Sequence, residues 1–391
     1  MDTRPIDADN HYYETLDAFT RHLPKKFADR GVKQVQDGRR VKTLIGGKVN
    51  GFIPNPTFDP IIVPGCLDPL FRGQIPEGVD PRTLMQVEPL RSEYQDRDAR
   101  VKVMDEQGLG AAMLFPTFGC GVEEALKNDI PAAMASLSAF NTWLEEDWGF
   151  DHEGRLLGAP MLSFADPELA AAEVDSLLER GVRIVHVRPA PVPGPNGTSR
   201  SLGDKAHDPV WARLAEAGVP VAFHLGDSGY EGRFGSAWGG RADFGFGKSD
   251  PIGKVLSEGR AIHDTVASII IGGVFTRFPD LRIASIENGS DWVALLAKHL
   301  TKQANQTPWV FPEPPIDTLR RHVWTTPYLE EDLAALADLL GVERILFGSD
   351  WPHGEGTALP LDFAIELAGF DDADRQKIMR DNALDLLGTA P

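Results

Sequence analysis

Short apolar runs alternate with longer stretches of helical spacing along most of the chain. The runs are rich in Val, Ile, Leu and Phe and end at glycine, proline or a polar residue, which is typical of buried strands. They predict eight strands, at residues 5–9, 110–115, 156–162, 182–188, 219–224, 281–286, 321–325 and 343–347.

Stretches with helical spacing separate these runs and predict helices at residues 96–107, 123–148, 167–180, 207–217, 254–275, 292–303, 330–340 and 360–369. Eight alternating strand and helix units predict an α/β protein with a (β/α)8 TIM barrel, whose active site lies at the carboxyl ends of the strands. A doubly wound open sheet is the alternative. Neither a GxGxxG motif after an early strand nor a GxxxxGK[ST] loop is present, so the usual nucleotide-binding signatures are missing.

Two segments depart from this alternation. Residues 19–93 contain a predicted β-hairpin around Gly46-Gly47 and a Pro- and Gly-rich passage, and we interpret them as an insertion into a single domain of residues 1–391. Residues 226–251 form a lid-like loop with the aromatic residues Tyr230, Phe234, Trp238, Phe244 and Phe246. Each segment could cover the site or contact another subunit, and a plain excursion is the alternative for the first.

Composition narrows the class of protein. The chain has 391 residues, 42% of them hydrophobic, and a formal net charge of −19, which would repel nucleic acid and anionic membranes. Cys66 and Cys120 are the only cysteines and lack metal-site spacing, which argues against a disulfide scaffold and fits a reducing cytoplasm. No signal peptide or membrane span is predicted. We therefore expect a cytoplasmic protein that acts on a small-molecule substrate.

Four potential metal ligands stand at the ends of predicted strands. Asp9 and His11 are two residues apart and share one side of the first strand, while His224 ends the fifth and Asp350 follows the eighth. Alone, each has a simpler explanation, since Asp350 could cap a helix and His224 could be a core histidine. Together on one rim they predict a site for a divalent metal. Imidazole and carboxylate donors suit Zn²⁺, which we expect, or Mn²⁺ or Fe²⁺.

Other polar residues near the strand ends are candidates for catalysis or substrate binding. Arg188 could bind a substrate carboxylate through its guanidinium fork or form a salt bridge in the barrel mouth. Glu287 could be a catalytic or ligand-supporting carboxylate, another metal ligand, or part of a helix-capping segment. His353 and Glu14 are candidates for proton transfer and substrate contact, or they line the rim. We interpret His186 as a core histidine.

The motifs resemble those of the amidohydrolase-related family, which includes decarboxylases of the aminocarboxymuconate-semialdehyde and resorcylate type. The resemblance rests on Asp9-Asn10-His11, on His224, on the segment at residues 271–282, on residues 348–353 and on the closing helix at residues 378–383. It implies a metal-dependent barrel enzyme. The family pattern has His-x-His where this chain has Asp9-x-His11, and many members have histidine where this chain has Glu287. These departures, and a fourth strand without a bridging lysine, favour one metal ion over two.

The resemblance implies hydrolysis as the family's default reaction, with a metal-activated water attacking a C–N or C–O bond and Asp350 accepting a proton. The first alternative is non-oxidative decarboxylation of an aromatic or enolic acid at the same site. An iron-dependent oxygenase or a non-catalytic partner subunit on the same scaffold is the second. We also expect a homo-oligomer, namely a dimer.

Overall fold

A computed structural model describes residues 3–242 and 250–389 of the chain. Within these residues the fold is α/β, and the four-stranded sheet and one of the two three-stranded sheets are parallel, as the sequence predicts. Phe244 and Phe246, which the sequence places in the lid-like loop, lie outside the described residues. No helix in the described ranges is both long and apolar enough to cross a membrane.

The strands, in chain order, are β1 (Ile6–Tyr12), β2 (Val32–Asp37), β3 (Arg40–Ile45), β4 (Lys48–Asn50), β5 (Ile61–Ile62), β6 (Val87–Glu88), β7 (Ala111–Pro116), β8 (Leu156–Gly158), β9 (Val185–Val187), β10 (Val192–Pro193), β11 (Ser199–Arg200), β12 (Val221–His224), β13 (Ile283–Ile286) and β14 (Val323–Thr325).

The α-helices are α1 (Asp68–Phe71), α2 (Arg97–Gln107), α3 (Val122–Leu126), α4 (Ile130–Asp147), α5 (Pro167–Glu179), α6 (Asp208–Ala217), α7 (Tyr230–Ala237), α8 (Pro251–Ser257), α9 (Arg260–Ile271), α10 (Val274–Arg277), α11 (Asp291–Gln306), α12 (Pro315–His322), α13 (Leu333–Leu340), α14 (Asp372–Gln376) and α15 (Asn382–Leu386). A π-helical turn at Lys377–Asp381 joins the last two, in the region predicted as the closing helix.

Two parallel sheets carry the strand ends on which the predicted site depends. One has the order β1-β7-β8, and the other has the order β14-β13-β12-β9. The Leu162 N–H donates to the His186 carbonyl at 2.8 Å and so links the residues after β8 to β9. An apolar cluster joins residues from both sheets, and its members include Ala8, Met113, Ala222, Ala284, Trp324 and Leu346.

The predicted eighth strand, at residues 343–347, is irregular. Val342–Arg344 forms a 3-10 turn, and the following residues pair with β14 and β1 only through single bridges. The Phe347 N–H donates to the Ile378 carbonyl at 3.1 Å, which lies in neither neighbouring strand, and this interrupts the ladder. The Ala8 N–H still donates to the Phe347 carbonyl at 2.8 Å, so the segment lies against β1.

Two helices that the sequence predicts as continuous are divided. The stretch 123–148 breaks between α3 and α4, because the Asp129 side chain caps α4 by accepting the Ala132 N–H. The stretch 254–275 breaks into α8, α9 and α10, since Gly259 and Gly273 adopt positive φ values of 60° and 70°. Periodicity alone does not register such interruptions.

The hairpin predicted around Gly46-Gly47 is confirmed. β3 and β4 are antiparallel and pair Ile45 with Lys48, and β2 adds a third strand. Both turn glycines have positive φ, 58° and 74°, as a two-residue type I′ turn requires.

A later part of the same region contacts the loop after the irregular segment. The Gly65 N–H donates to the His353 carbonyl at 3.0 Å, and the Leu67 N–H donates to the Gly354 carbonyl at 2.7 Å. Residues 61–67 therefore lie directly against the loop that carries His353.

Candidate metal centre

A β-bulge sets the direction of the first two predicted ligands. β1 pairs with β7 in one register at Asp7 and in another at Asn10, so an extra residue lies between them. Strict alternation would place Asp9 on the face opposite Ala8, which is in the apolar cluster. A bulge re-aims side chains at this kind of position. Asp9 Oδ1 lies 3.4 Å from His11 Nε2, and both residues are buried.

His224 ends β12 and presents one ring nitrogen to these two residues. Its Nδ1 lies 2.7 Å from the Leu225 carbonyl, which can only accept, so Nδ1 carries the proton and Nε2 has a free lone pair. Nε2 lies 3.2 Å from His11 Nε2 and 3.4 Å from Asp9 Oδ1. A backbone partner that fixes the tautomer in this way is typical of metal-binding histidines.

Glu287, predicted as catalytic, lies on the other side of the two imidazoles. Its Oε2 is 3.2 Å from His224 Nε2 and 3.7 Å from His11 Nε2. The residue follows β13 in a left-handed conformation with φ 57°, which is unusual for a side chain with a Cβ atom. The backbone conformation thus turns the Glu287 side chain toward the predicted ligands.

The four side chains Asp9, His11, His224 and Glu287 fit a divalent cation. Their donor atoms lie within 4.8 Å of one another, and the contacts above range from 3.2 to 3.7 Å. Four ligands at about 2.1 Å from a tetrahedral ion are about 3.4 Å apart. Asp9 Oδ1 has no hydrogen-bond donor among the described residues although it is buried. A cation would satisfy this oxygen and the lone pair of His224 Nε2.

The protonation states of the predicted ligands also suit a cation. Burial is the largest cause that lowers the pKa of His11 well below its usual value, so its imidazole is neutral. Burial alone would raise the pKa of Asp9, but the contacts with His11 and His224 outweigh it and lower that pKa. Asp9 is therefore ionised and His11 is unprotonated, which are the forms that bind metal.

Asp350 and His353 form a hydrogen-bonded pair beside this cluster. Asp350 Oδ1 lies 2.6 Å from His353 Nδ1 and 3.3 Å from His11 Nε2, and the His353 ring lies 4.1 Å from the His11 ring. Asp350 also has a positive φ, 53°. No helix begins at Asp350 in the described chain, because the next helical turn is Pro360–Ile365, so the helix-cap alternative is wrong.

Hydrogen bonding defines the tautomer of His353. The Thr117 hydroxyl donates to the Tyr12 carbonyl at 2.9 Å, so its oxygen accepts from His353 Nε2 at 3.0 Å. Burial first, and then the carboxylates of Glu355 and Asp9, raise the pKa of Asp350 well above its usual value. A proton consequently lies between Asp350 Oδ1 and His353 Nδ1.

Asp7 is a functional candidate that the sequence prediction missed. Its carboxylate accepts the Ser349 N–H and hydroxyl, the Asn10 side-chain amide and the Asp9 N–H, at 2.5 to 3.1 Å. Asp7 thus links two segments that carry predicted ligands. One is β1 with Asp9, and the other contains Ser349, which directly precedes Asp350. The sequence signal is an aspartate two positions before Asp9. It does not distinguish a residue that links two segments from a metal ligand.

Arg188 lies at the edge of the site and is already paired. It is buried, its Nε lies 3.3 Å from Glu123 Oε2, and its Nη1 lies 2.5 Å from Glu124 Oε2. A substrate carboxylate would compete with these glutamates. Substrate binding by Arg188 stays a prediction, and the salt bridge that the sequence offered as the alternative is present.

Glu14 is buried and bonded on both oxygens. It accepts the Phe118 N–H at 3.0 Å and the Gly119 N–H at 2.8 Å. Burial raises the pKa of Glu14 to about 7, against the lowering effect of those bonds. These contacts position the backbone after β7, and a substrate contact by Glu14 stays a prediction.

His186 and Cys120 lie behind His224. The rings of His186 and His224 are 5.6 Å apart, and Cys120 Sγ lies 3.7 Å from His224 Nδ1. The Cys120 thiol donates to the Pro116 carbonyl at 3.1 Å, and burial raises its pKa well above the usual value. The thiol is therefore neutral, and the surroundings of His186 agree with its interpretation as a core residue.

Comparison with known proteins places this geometry in a family. Residues 6–389 match the Amidohydrolase family. The solved structure of an amidohydrolase from Mycobacterium avium subsp. paratuberculosis K-10 is 61% identical, with a TM-score of 0.95 and coverage of 100% of this chain and 99% of that chain. The gamma-resorcylate decarboxylase of Polaromonas sp. (strain JS666) is 26% identical over 311 residues, which cover 76% of this chain and 89% of that protein.

A more distant solved structure shares the fold. The dihydroxybenzoic acid decarboxylase of Polaromonas sp. JS666, which contains manganese and 2-nitroresorcinol, has a TM-score of 0.58 at 22% identity over 83% of this chain and 93% of that chain. The family match extends over nearly the whole chain and includes every strand end described above. The chain therefore belongs to the Amidohydrolase family, as its motifs predict.

Proposed function

We propose that this protein is a metal-dependent, non-oxidative decarboxylase of an aromatic or enolic acid. The observation that carries the proposal is the proton-holding pair Asp350 and His353, which lies against the metal donor His11. Similarity to gamma-resorcylate decarboxylase supports the same reaction. Hydrolysis, which the sequence predicts first, has less support, and the alternative of decarboxylation is now preferred.

We propose an eight-stranded parallel barrel as the scaffold. The links from β8 to β9 and from residues 345–351 to β1 and β14 support a closed ring of strands. The predicted ligands then lie together at the carboxyl ends of the strands, where barrel enzymes carry their active sites. The segment at residues 19–93 is an insertion in this proposal.

The metal would be held by Asp9, His11 and His224. The sequence also predicts Asp350 as a ligand, but in this proposal its carboxyl holds the proton instead. Such a cation, when bound, stabilises negative charge on a substrate phenolate or enolate oxygen and on the adjacent carboxylate. The manganese in the Polaromonas dihydroxybenzoic acid decarboxylase supports Mn²⁺ beside the Zn²⁺ that we expect from the donor types.

Asp350 and His353 supply the proton that the reaction consumes. The bond between the substrate carbon and its carboxylate breaks, CO₂ leaves, and the electron pair remains on that carbon. The carbon takes the proton held between Asp350 Oδ1 and His353 Nδ1, which are 2.6 Å apart. Because His353 Nε2 already donates to Thr117, the pair is oriented to release the proton from the Asp350 side.

The test is turnover of hydroxybenzoate-type and enolic acids by the purified protein with Mn²⁺ or Zn²⁺. We expect CO₂ release, and in D₂O we expect one deuterium on the carbon that lost the carboxylate. H224A should abolish the reaction and D350N should slow it strongly, while D105N, at an exposed salt bridge with Arg4, serves as the control. Hydrolysis of amides, esters or lactones without CO₂ release from any acid would instead support the hydrolase.

A further inference from the structure

Hydrogen bonds to the segment after β14 hold both the backbone N–H and the backbone carbonyl of Glu287. Its N–H donates to the Thr326 hydroxyl oxygen at 2.9 Å, and its carbonyl accepts the Tyr328 hydroxyl at 2.8 Å. Both partners follow β14, the next strand in the sheet after β13. The left-handed conformation of Glu287, with φ 57°, is thus secured by tertiary contacts rather than by its own preference.

Glu331 fixes the turn that follows Glu287. Its carboxylate accepts the Ser290 N–H at 2.8 Å, the Ser290 hydroxyl at 2.7 Å and the Asp291 N–H at 3.1 Å, at the start of α11. It also accepts the Tyr328 N–H at 2.9 Å. One carboxylate thereby connects the residues after β14 to the first turn of a 16-residue helix.

The packing of this turn leaves little freedom. A Cβ atom at Gly289 would lie 2.7 Å from Glu331 Oε1 and 2.7 Å from the Tyr328 ring, and Gly289 has φ 62°. The turn from Glu287 to Ser290 is therefore enclosed by Tyr328 and Glu331. Its shape directs the Glu287 carboxylate toward His224 Nε2, 3.2 Å away.

We propose that Glu287 is a direct ligand of the metal ion, and that Tyr328 and Glu331 are positioning residues that hold it in that role. The inference rests on the proposed metal site of Asp9, His11 and His224. It assigns Glu287 the ligand role in place of the catalytic one, because Glu287 Oε2 lies 3.2 Å from His224 Nε2 and 3.7 Å from His11 Nε2. These distances bracket the 3.4 Å that separates Asp9 Oδ1 from each of the two nitrogens. Thr326 completes the support from the same segment.

The experiment measures Mn²⁺ affinity by competition with a chromophoric chelator, independently of turnover. E287A is expected to weaken Mn²⁺ binding by about 10- to 100-fold, and Y328F by about tenfold, the range found when outer partners of ligands are removed. D105N is the control, since Asp105 pairs with Arg4 at an exposed position and its replacement should leave Mn²⁺ affinity unchanged.

A double-mutant cycle separates positioning from a general structural effect. If Tyr328 acts through Glu287, Y328F in the E287A background should cause no further loss of Mn²⁺ affinity. Additive losses, or a Y328F protein with a lower Tm and unchanged Mn²⁺ affinity, would overturn the positioning role. E331Q provides a second variant and should also weaken Mn²⁺ binding only when Glu287 is present.

The ligand role has its own contrary result. If E287A binds Mn²⁺ as tightly as the parent protein while H224A loses binding, Glu287 is not a ligand and the proposed metal site stands. If H224A also retains full Mn²⁺ affinity, the proposed function itself fails. The two failures are therefore distinguishable in one set of titrations.

Discussion

The Asp7 carboxylate accepts both polar hydrogens of Ser349, from the backbone N–H at 3.0 Å and from the hydroxyl at 2.5 Å. The two residues are buried and separated by most of the chain. The contact joins the strand that carries Asp9 to the segment that carries Asp350. The relative placement of Asp9 and Asp350 therefore depends on Asp7, which is not itself a predicted ligand.

D7N tests this dependence. The asparagine amide directs hydrogens at groups that are themselves donors, so we expect the free energy of unfolding to fall by about 1–3 kcal/mol. Urea denaturation measures the change, and Mn²⁺ affinity should fall as well. D105N is the surface control and is expected to change the free energy of unfolding little, because exposed ion pairs contribute little to stability. Equal losses in both variants would contradict the role of Asp7.

Glu14 predicts a dependence of stability on pH. Burial raises its folded-state pKa from 4.5 to about 7, so folding favours the protonated form. This contribution to stability is fully present below about pH 4.5 and is lost as pH rises through about 7, for a total of about 3 kcal/mol. The free energy of unfolding, measured from pH 4.5 to 8, should fall more steeply for the parent protein than for E14Q. Parallel profiles would contradict the prediction.

Asp350 and His353 should differ in their effect on catalysis. D350N removes the carboxyl that delivers the proton, and we expect kcat to fall by about 10²- to 10⁴-fold. H353Q keeps a polar side chain at the position that orients Asp350, so a smaller loss is expected. Steady-state kinetics on the best decarboxylation substrate provides the measurement. A larger loss in H353Q than in D350N would make His353 the proton donor.

Arg100 should be essential for stability although it takes no part in the proposed chemistry. It is fully buried, its Nη1 donates to Asn10 Oδ1 at 2.6 Å, and its guanidinium carbon lies 4.5 Å from the centre of the Trp351 ring. Lysine cannot reproduce both contacts, so R100K should lower the free energy of unfolding by about 2–4 kcal/mol.

Urea denaturation of R100K should be compared with R213K. Arg213 forms a solvent-accessible pair with Asp175, and its replacement is expected to change stability by no more than about 0.5 kcal/mol. If R100K were as stable as the parent protein, the contact with the Trp351 ring and the hydrogen bond to Asn10 would contribute little to stability.

Metal removal should lower thermal stability. A ligand at 100 times its Kd stabilises the folded state by about 2.7 kcal/mol. We expect the Tm of the parent protein to rise when Mn²⁺ is added and to fall when a chelator is added. H224A should show neither shift, since one imidazole ligand is lost. A Tm that responds to Mn²⁺ equally in both proteins would indicate binding elsewhere on this acidic chain.

The strand ends could be predicted because local apolar runs stop there. The run before His224 ends in the imidazole, and the structure ends β12 at the same residue. The spacing of Asp9 and His11 predicts that they share one side of the strand. It does not predict that Asp9 also points to the side of Ala8, because that depends on a bulge between Asp7 and Asn10. The alternation of apolar and polar residues in the sequence does not indicate that bulge.

Tertiary contacts account for the other differences. The backbone of Glu287 is held by Thr326 and Tyr328, about 40 residues away, so its left-handed conformation has no local signal. In the irregular segment before Asp350, the Phe347 N–H donates to the Ile378 carbonyl in the closing helix region and not to a neighbouring strand. Short-range patterns describe the elements well, whereas these features arise only when distant parts of the chain meet.

The contact of residues 61–67 with the loop at residues 353–358 has a consequence for protein engineering. Gly65 and Leu67 contact this loop through backbone hydrogen bonds. A change of side chain therefore cannot adapt these contacts to a different loop. Gly65 has φ 71°, and a Cβ atom there would collide with the Ala358 backbone. Chimeras between family members should therefore exchange both segments together, because a graft of either one alone would separate a matched pair of backbones.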